Sequence, residues 1–231
     1  YAALTALSVS ATAQTMNITR AGDTTIVKIA KSPKYLLLPI EEGKDEALVI
    51  LDNGKKTDTW MDVRLAQGKT DYYMPFKLNK GKTSVVKILN LKADALALQK
   101  GQLKLSNVWD VTNTDYYRPS YHHTPSYGWM NDPVGMFYKD GVYHLCYQYN
   151  PYGSMWGNMH WGHAVSRDLI HWKEVEPTLQ RDPMGHIFSG STVIDKDGTA
   201  GYGKNAVISL YTSDSKENAQ TQCMAYSTDG G

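Results

Sequence analysis

In the stretch GWMNDPVGM, residues 128–136, the carboxylate of Asp132 stands between the amide of Asn131 and the ring of Pro133, with Trp129, Met130 and Met136 close by. A carboxylate is a side chain of nucleophilic and acid–base chemistry. Most Asn-Asp-Pro runs are surface turns and nothing more. Here Pro133 fixes its own φ and holds the preceding residue extended, an arrangement that would aim Asp132. The amide of Asn131 can donate hydrogen bonds into the same site.

Other residues of chemical type are weaker candidates. His160 and His163 have the H-x-x-H spacing that binds zinc on a helix. On a strand, residues three apart point to opposite faces, and no third ligand stands at a convincing spacing, so no metal is expected. Cys146 and Cys223 lie in apolar or alternating runs without a redox motif. They read as buried free thiols rather than a disulfide.

The elements that must position these residues are strands. Residues 16–112 carry short apolar runs at 24–30, 35–40, 46–51, 60–66, 72–78 and 84–91, with Asp52-Asn53-Gly54 as a turn between two of them. Six strands in so short a span predict a small β-sandwich. Only 95–102 could be helical. Tyr72, Tyr73 and Trp60 read as core, and no residue of this part has catalytic spacing. Beyond it, 135–151 predicts a hairpin about Lys139-Asp140-Gly141, and five further strand-like runs follow at near-regular intervals. Strands so spaced, without helices between them, predict a sandwich, barrel or propeller.

The chain has 231 residues, 42% hydrophobic and 20% charged, as an ordinary globular protein does. A formal net charge of +1 gives no reason to expect nucleic acid. No apolar run approaches the roughly 20 residues of a membrane span. Residues 16–112 hold 16 basic and 11 acidic side chains, whereas 113–231 hold 8 and 12. All seven histidines and twelve of the 16 tyrosines lie beyond 112, which places a domain boundary there. The opening YAALTALSVSATAQ is small and apolar, with a small-x-small pattern at Ala11-Thr12-Ala13. Residues 1–15 thus read as a signal-peptide remnant, and the protein as exported, periplasmic or secreted, and bacterial.

Three motifs carry a resemblance: YHHTPSYGWMNDPVGMFY, YQYNPYGSMWGNMHWGHAVSRDLIHW and HIFSGSTVID. In order and approximate spacing they resemble glycoside hydrolase family 32, the invertases, inulinases and levanases that cleave fructose-containing sugars. The resemblance covers about 119–231. The run 35–91 is similar to an accessory β-domain that precedes some bacterial members.

The resemblance implies an all-β chain: an accessory β-sandwich (16–112), then the first two or so blades of a five-bladed β-propeller (113–231) with its site in the central funnel. It implies a retaining glycosidase acting on sucrose, inulin or levan, with Asp132 as nucleophile and no cofactor. Asn131, Gln148, Trp156, Phe188 and Ser189 match substrate-binding positions, whereas Trp161 is expected to pack. Val134 departs from the pattern, standing where the family has a second Asn. Arg181-Asp182-Pro183 copies a family motif but precedes Phe188 instead of following it, so Asp182 reads as a turn residue. Glu174 and Glu176 belong to an outer strand. The transition-state-stabilising Asp and the acid/base Glu are expected beyond residue 231, so these residues alone are expected to be inactive. Two other readings stay open: a fructosyltransferase of the same fold, and a non-catalytic fructan-binding protein. Oligomeric state is left open.

Overall fold

The runs of alternating apolar residues fold as strands throughout a computed structural model that describes residues 15–54, 58–113, 116, 118–215 and 219–230. The expected signal-peptide remnant lies outside these residues except for Thr15. The first part forms β1 (Met16–Ala21), β2 (Thr24–Ile29), β3 (Tyr35–Ile40), β4 (Ala47–Leu51), β5 (Thr59–Val63), β6 (Tyr72–Lys77), β7 (Ser84–Leu89) and β8 (Lys104–Ser106). All six expected strands are present; β1 and β8 were not foreseen. β8 has only three residues, and β1 exposes most of its six. The expected helix at 95–102 is one 3-10 turn at Leu96–Leu98.

A five-stranded sheet, ordered β1-β2-β7-β4-β5, faces a three-stranded sheet, ordered β6-β3-β8. Strands such as β4 and β7 alternate buried and half-buried residues, the period-2 pattern of a sheet with one covered face. The two inner faces share one core, including Val27, Leu36, Leu38, Val49, Met74, Phe76 and Ile88. This is the expected sandwich.

The second part forms β9 (Trp129–Lys139), β10 (Val142–Asn150), β11 (His160–Ser166), β12 (Lys173–Leu179), β13 (His186–Asp195), β14 (Ala206–Asp214) and β15 (Gln220–Ser227). The first four make an antiparallel meander ordered β12-β11-β10-β9, and the last three a second, ordered β13-β14-β15. The hairpin between β9 and β10 turns at Asp140 and Gly141, both at positive φ, which matches the right-handed twist of the strands it joins. The leading strands β9 and β13 lie side by side although they belong to different sheets. Between the sheets lie Val134, Cys146, Trp161, Ile187 and Tyr211. Two meanders stacked face to face with their first strands innermost are consecutive blades of a propeller.

The sandwich and the blades are joined by a polar seam. Asn158 is 1% exposed. Its side chain accepts the Asp62 N–H at 2.9 Å and donates to the Asp62 carbonyl at 2.7 Å. It also accepts Arg181 Nη1–H at 2.7 Å, and the Arg181 guanidinium lies 3.3 Å over the Trp60 ring. Glu176 pairs with Lys34 and Lys77 across the same boundary. Tyr152 of the β10–β11 loop sits in the sandwich core, and its hydroxyl donates to the Pro75 carbonyl.

Candidate active site

The segment around Asp132 is strand, not turn, and its geometry comes from a bulge. Across the β9–β10 ladder Tyr147 pairs with Pro133 and Tyr149 with Met130, so Asn131 and Asp132 together oppose the single residue Gln148. Such a bulge re-aims side chains that a regular pleat would send to opposite faces. Pro133 fits here because β9 pairs on one side only, and a proline in a sheet is confined to edges and bulges.

The second sheet repeats the device. Ile187 pairs with Ser213 and Gly190 with Tyr211, so Phe188 and Ser189 oppose Thr212. The two leading strands therefore each present a bulged pair, and the bulges face one cavity of about 350 Å³. It is lined by Asn131, Asp132, Gln148, Trp156, Phe188 and Ser189, together with Thr212 and Gln220. The structure thus brings together all six residues singled out in the sequence. Thr212 and Gln220 were missed, having no motif; Thr212 stands to Phe188-Ser189 as Gln148 stands to Asn131-Asp132, an equivalence visible only in the paired strands.

The Ser189 hydroxyl donates to Asp132 Oδ2 at 3.3 Å. Trp129 Nε1–H donates to Asn131 Oδ1 at 2.8 Å, which fixes the amide and directs its NH2 as the group it can offer. Gln148 is buried, 3% exposed, rather than half-exposed as a strand glutamine would be. Its Nε2–H donates to the Ile187 carbonyl at 3.0 Å, which ties the first sheet to the second and leaves Oε1 as an acceptor.

The apolar neighbours of Asp132 do not line the cavity and do other work. Trp129 holds Asn131, Met130 packs near Tyr147, Tyr149 and Ala164, and Met136 is exposed. The aromatic wall comes from elsewhere. Trp156, 53% exposed, sits 6.1 Å edge-on from Phe188 and 5.5 Å from His186. His186 accepts the Met159 N–H at Nδ1; burial, with the nearby Arg181 charge, lowers its pKa to about 4, so it is a neutral ring packed against the two wall residues.

Several residues of chemical type serve structure instead. Trp161 is fully buried, and its Nε1–H donates to the Phe188 carbonyl. Val134, 5% exposed, points into the core between the sheets and cannot contact a ligand in the cavity. Asp182 accepts the Met184 N–H at 2.8 Å as a turn residue, while its neighbour Arg181 belongs to the interdomain seam. Glu174 and Glu176 lie on β12, the outermost strand of the first sheet, away from the cavity. His163 pairs with His144 at 2.9 Å and His160 is buried. Cys146 and Cys223 are free thiols, the first buried and the second half-buried. Among the described residues no three His, Cys, Asp or Glu side chains are grouped as metal ligands.

A small cavity that joins a carboxylate, amides, hydroxyls and flat aromatic faces has the make-up of a carbohydrate site: acceptors and donors for hydroxyls, rings for C–H faces. Fold and site together describe a blade-built β-protein with a polyol-sized cavity between its first two blades. Comparison with known proteins is specific. Residues 122–231 match the glycosyl hydrolases family 32 N-terminal domain, and residues 21–121 match DUF4980, a domain of unknown function. The chain is 51% identical over 129 residues to the levanase of Bacillus subtilis, a match covering 53% of the chain and 19% of the levanase. It is 42% identical over 135 residues to the extracellular exo-inulinase of Aspergillus awamori, covering 50% of the chain and 25% of that enzyme. The crystal structure of the latter superposes on 52% of the chain and 27% of its own, with 39% identity and a TM-score of 0.48. Residues 122–231 thus match the family 32 N-terminal domain, and the chain spans about a fifth to a quarter of the length of these curated relatives.

Proposed function

We propose that the full-length protein is a retaining glycoside hydrolase of β-fructofuranosides, with Asp132 as its nucleophile. The observation that supports this reading is the pair of matched bulges that turns Asn131-Asp132 and Phe188-Ser189 into one cavity. Asp132 Oδ1 or Oδ2 attacks the anomeric carbon of a fructosyl unit, and the bond to the leaving sugar breaks through an oxocarbenium-like transition state. The Ser189 hydroxyl holds the carboxylate in line, the Asn131 amide and Gln148 Oε1 bind ring hydroxyls, and Trp156 with Phe188 covers the apolar face of the sugar. Retention requires a second carboxyl about 5–5.5 Å away as acid and then base. Among the described residues Asp132 is the sole acidic one lining this cavity, so we place the acid/base outside them, in the rest of a longer catalytic domain. Water as the acceptor makes the enzyme a hydrolase, and fructans outside the cell suit an exported protein.

In the full-length protein Asp132→Asn abolishes fructose release from sucrose, inulin and levan without lowering the melting temperature. Activity retained by that variant overturns the assignment. Product analysis at high sucrose separates hydrolysis from transfer: free fructose marks the first, lengthening oligomers the second.

A further inference from the structure

The loop between β10 and β11, residues 151–159, lines the candidate active site through Trp156 and meets the N-terminal sandwich through Tyr152, Ser154 and Asn158. We infer that the sandwich positions Trp156, with Tyr152, Ser154 and Asn158 fastening the loop on both sides of that ring. The N-terminal domain then sets one wall of the site without touching the substrate. That the wall binds sugar rests on the function proposed above; how Trp156 is held does not.

Trp156 needs such support. Its side chain is 53% exposed, and it meets Phe188 and His186 at ring separations of 6.1 and 5.5 Å. A ring so open to solvent is placed by the backbone that carries it more than by packing.

Ahead of Trp156 the loop is held by the sandwich core. Tyr152 is 3% exposed there; its hydroxyl donates to the Pro75 carbonyl at 3.2 Å, and its own carbonyl accepts the Arg64 N–H at 3.3 Å. Gly153 lies so close to Arg64 that a Cβ would stand 3.1 Å from its Cδ. The exposed Ser154 donates its hydroxyl to Glu42 Oε2 at 2.7 Å, and Glu42 is braced in turn by the Tyr72 hydroxyl.

After Trp156 the hold is the buried amide of Asn158, which uses its full hydrogen-bonding capacity. Its Oδ1 accepts from the Asp62 N–H and from Arg181 Nη1, and its Nδ2 donates to the Asp62 carbonyl and to Asn150 Oδ1. A buried network satisfied at every member holds its parts in one arrangement. This one reaches the ring's own neighbour, because Asn150 Nδ2 donates to the carbonyl of Met155 at 2.8 Å. Met159 closes the loop against the second blade, donating to His186 Nδ1 at 3.0 Å and accepting the Ile187 N–H at 2.9 Å. Trp156 is thereby kept in register with Phe188, the next residue of β13.

The test uses the full-length protein labelled with fluorotryptophan, in which the fluorine resonance of Trp156 is the one lost in Trp156→Phe. Asn158→Ala removes the buried amide. Glu42→Ala changes only the sandwich, at a partly exposed side chain, and keeps the test open if Asn158→Ala does not fold. Both should shift or broaden the Trp156 resonance. Both should raise KM for sucrose about three- to tenfold with kcat within about twofold, as a displaced wall loses binding common to ground and transition states. In a Trp156→Ala background neither should raise KM further, since each acts through that side chain. A Trp156 resonance unchanged in position and width overturns the inference, as does a KM rise that adds in full to that of Trp156→Ala. A lower melting temperature with KM and resonance unmoved is a purely structural role and overturns it too. A resonance that moves while KM stays put upholds the positioning and overturns the sugar-binding role of Trp156, so the two failures are distinct.

Discussion

At the scale of the residue, position relative to a bulge decides what each side chain does. Asn131 and Asp132 share an outlook that neighbours on a regular strand never share, and so do Phe188 and Ser189. Val134 lies just beyond the first bulge and is turned into the core with Cys146, Trp161, Ile187 and Tyr211. Restoring the family residue should therefore harm the protein. Val134→Asn places an amide among apolar partners, and we expect a loss of about 1–3 kcal/mol in a melting or denaturant titration. A variant as stable as the parent would mean that this side chain finds a polar partner. The opening Asn-Asp-Pro was legible as chemistry from its residue types, and its extended backbone from Pro133. The reason the aim works was not legible, because a bulge is a mismatch between two strands and belongs to neither alone.

At the scale of the element, β9 combines two irregularities within six residues. The second places Gly135 and Met136 opposite Leu145, between the pairs His144–Phe137 and Cys146–Val134. Gly135 has a φ of +51°, and a Cβ there would lie 2.2 Å from the Trp161 ring. Gly135→Ala combines backbone strain with overpacking, and we expect it to cost about 2–5 kcal/mol. A fall in melting temperature with the secondary structure otherwise intact is the measurement; an unchanged melting curve would refute the steric account. The runs of β2, β4, β5 and β7 could be read from their alternation, and those of β3 and β6 from their nearly continuous apolar residues. The β1 and β8 strands could not, because an exposed edge strand and a three-residue strand carry little apolar pattern.

At the scale of the whole molecule, buried histidines couple the fold to pH. Burial pushes His160 down to about 3, with Arg181 nearby adding to it, and His163 and His186 down to about 4. All three are neutral in the folded protein, whereas in the unfolded chain they gain protons as pH falls through about 6.5. Folded pKa values below the unfolded value mean stability that is fully present above about pH 6.5 and lost as pH falls towards 4. With three protons at stake the slope reaches about 4 kcal/mol per pH unit. Glu174 acts in the opposite sense: its burial raises the carboxyl pKa, so its contribution is lost as pH rises through the folded value. Melting temperatures between neutral pH and about pH 5 should decline steadily, and a flat profile would show that the histidines are not held neutral. The outer face of the second sheet leaves Val193, Leu210, Met224 and Tyr226 about half exposed, an apolar surface of the kind that a neighbouring blade covers.

The sequence by itself determined that this chain is all-β, where most strands lie, and which residues can do chemistry, because alternation, turn residues and side-chain type are local properties. The resemblance, through the place of its motif before Phe188, also marked Asp182 as a turn residue, and its carboxylate accepts the Met184 N–H. Only the tertiary structure decided that Gln148 is buried and ties one blade to the next, that Thr212 and Gln220 join the site, and that Arg181 clamps the sandwich to the blades. Those facts depend on which strand lies beside which and on how many residues each spends across a shared ladder. A single strand carries no record of its partner's count.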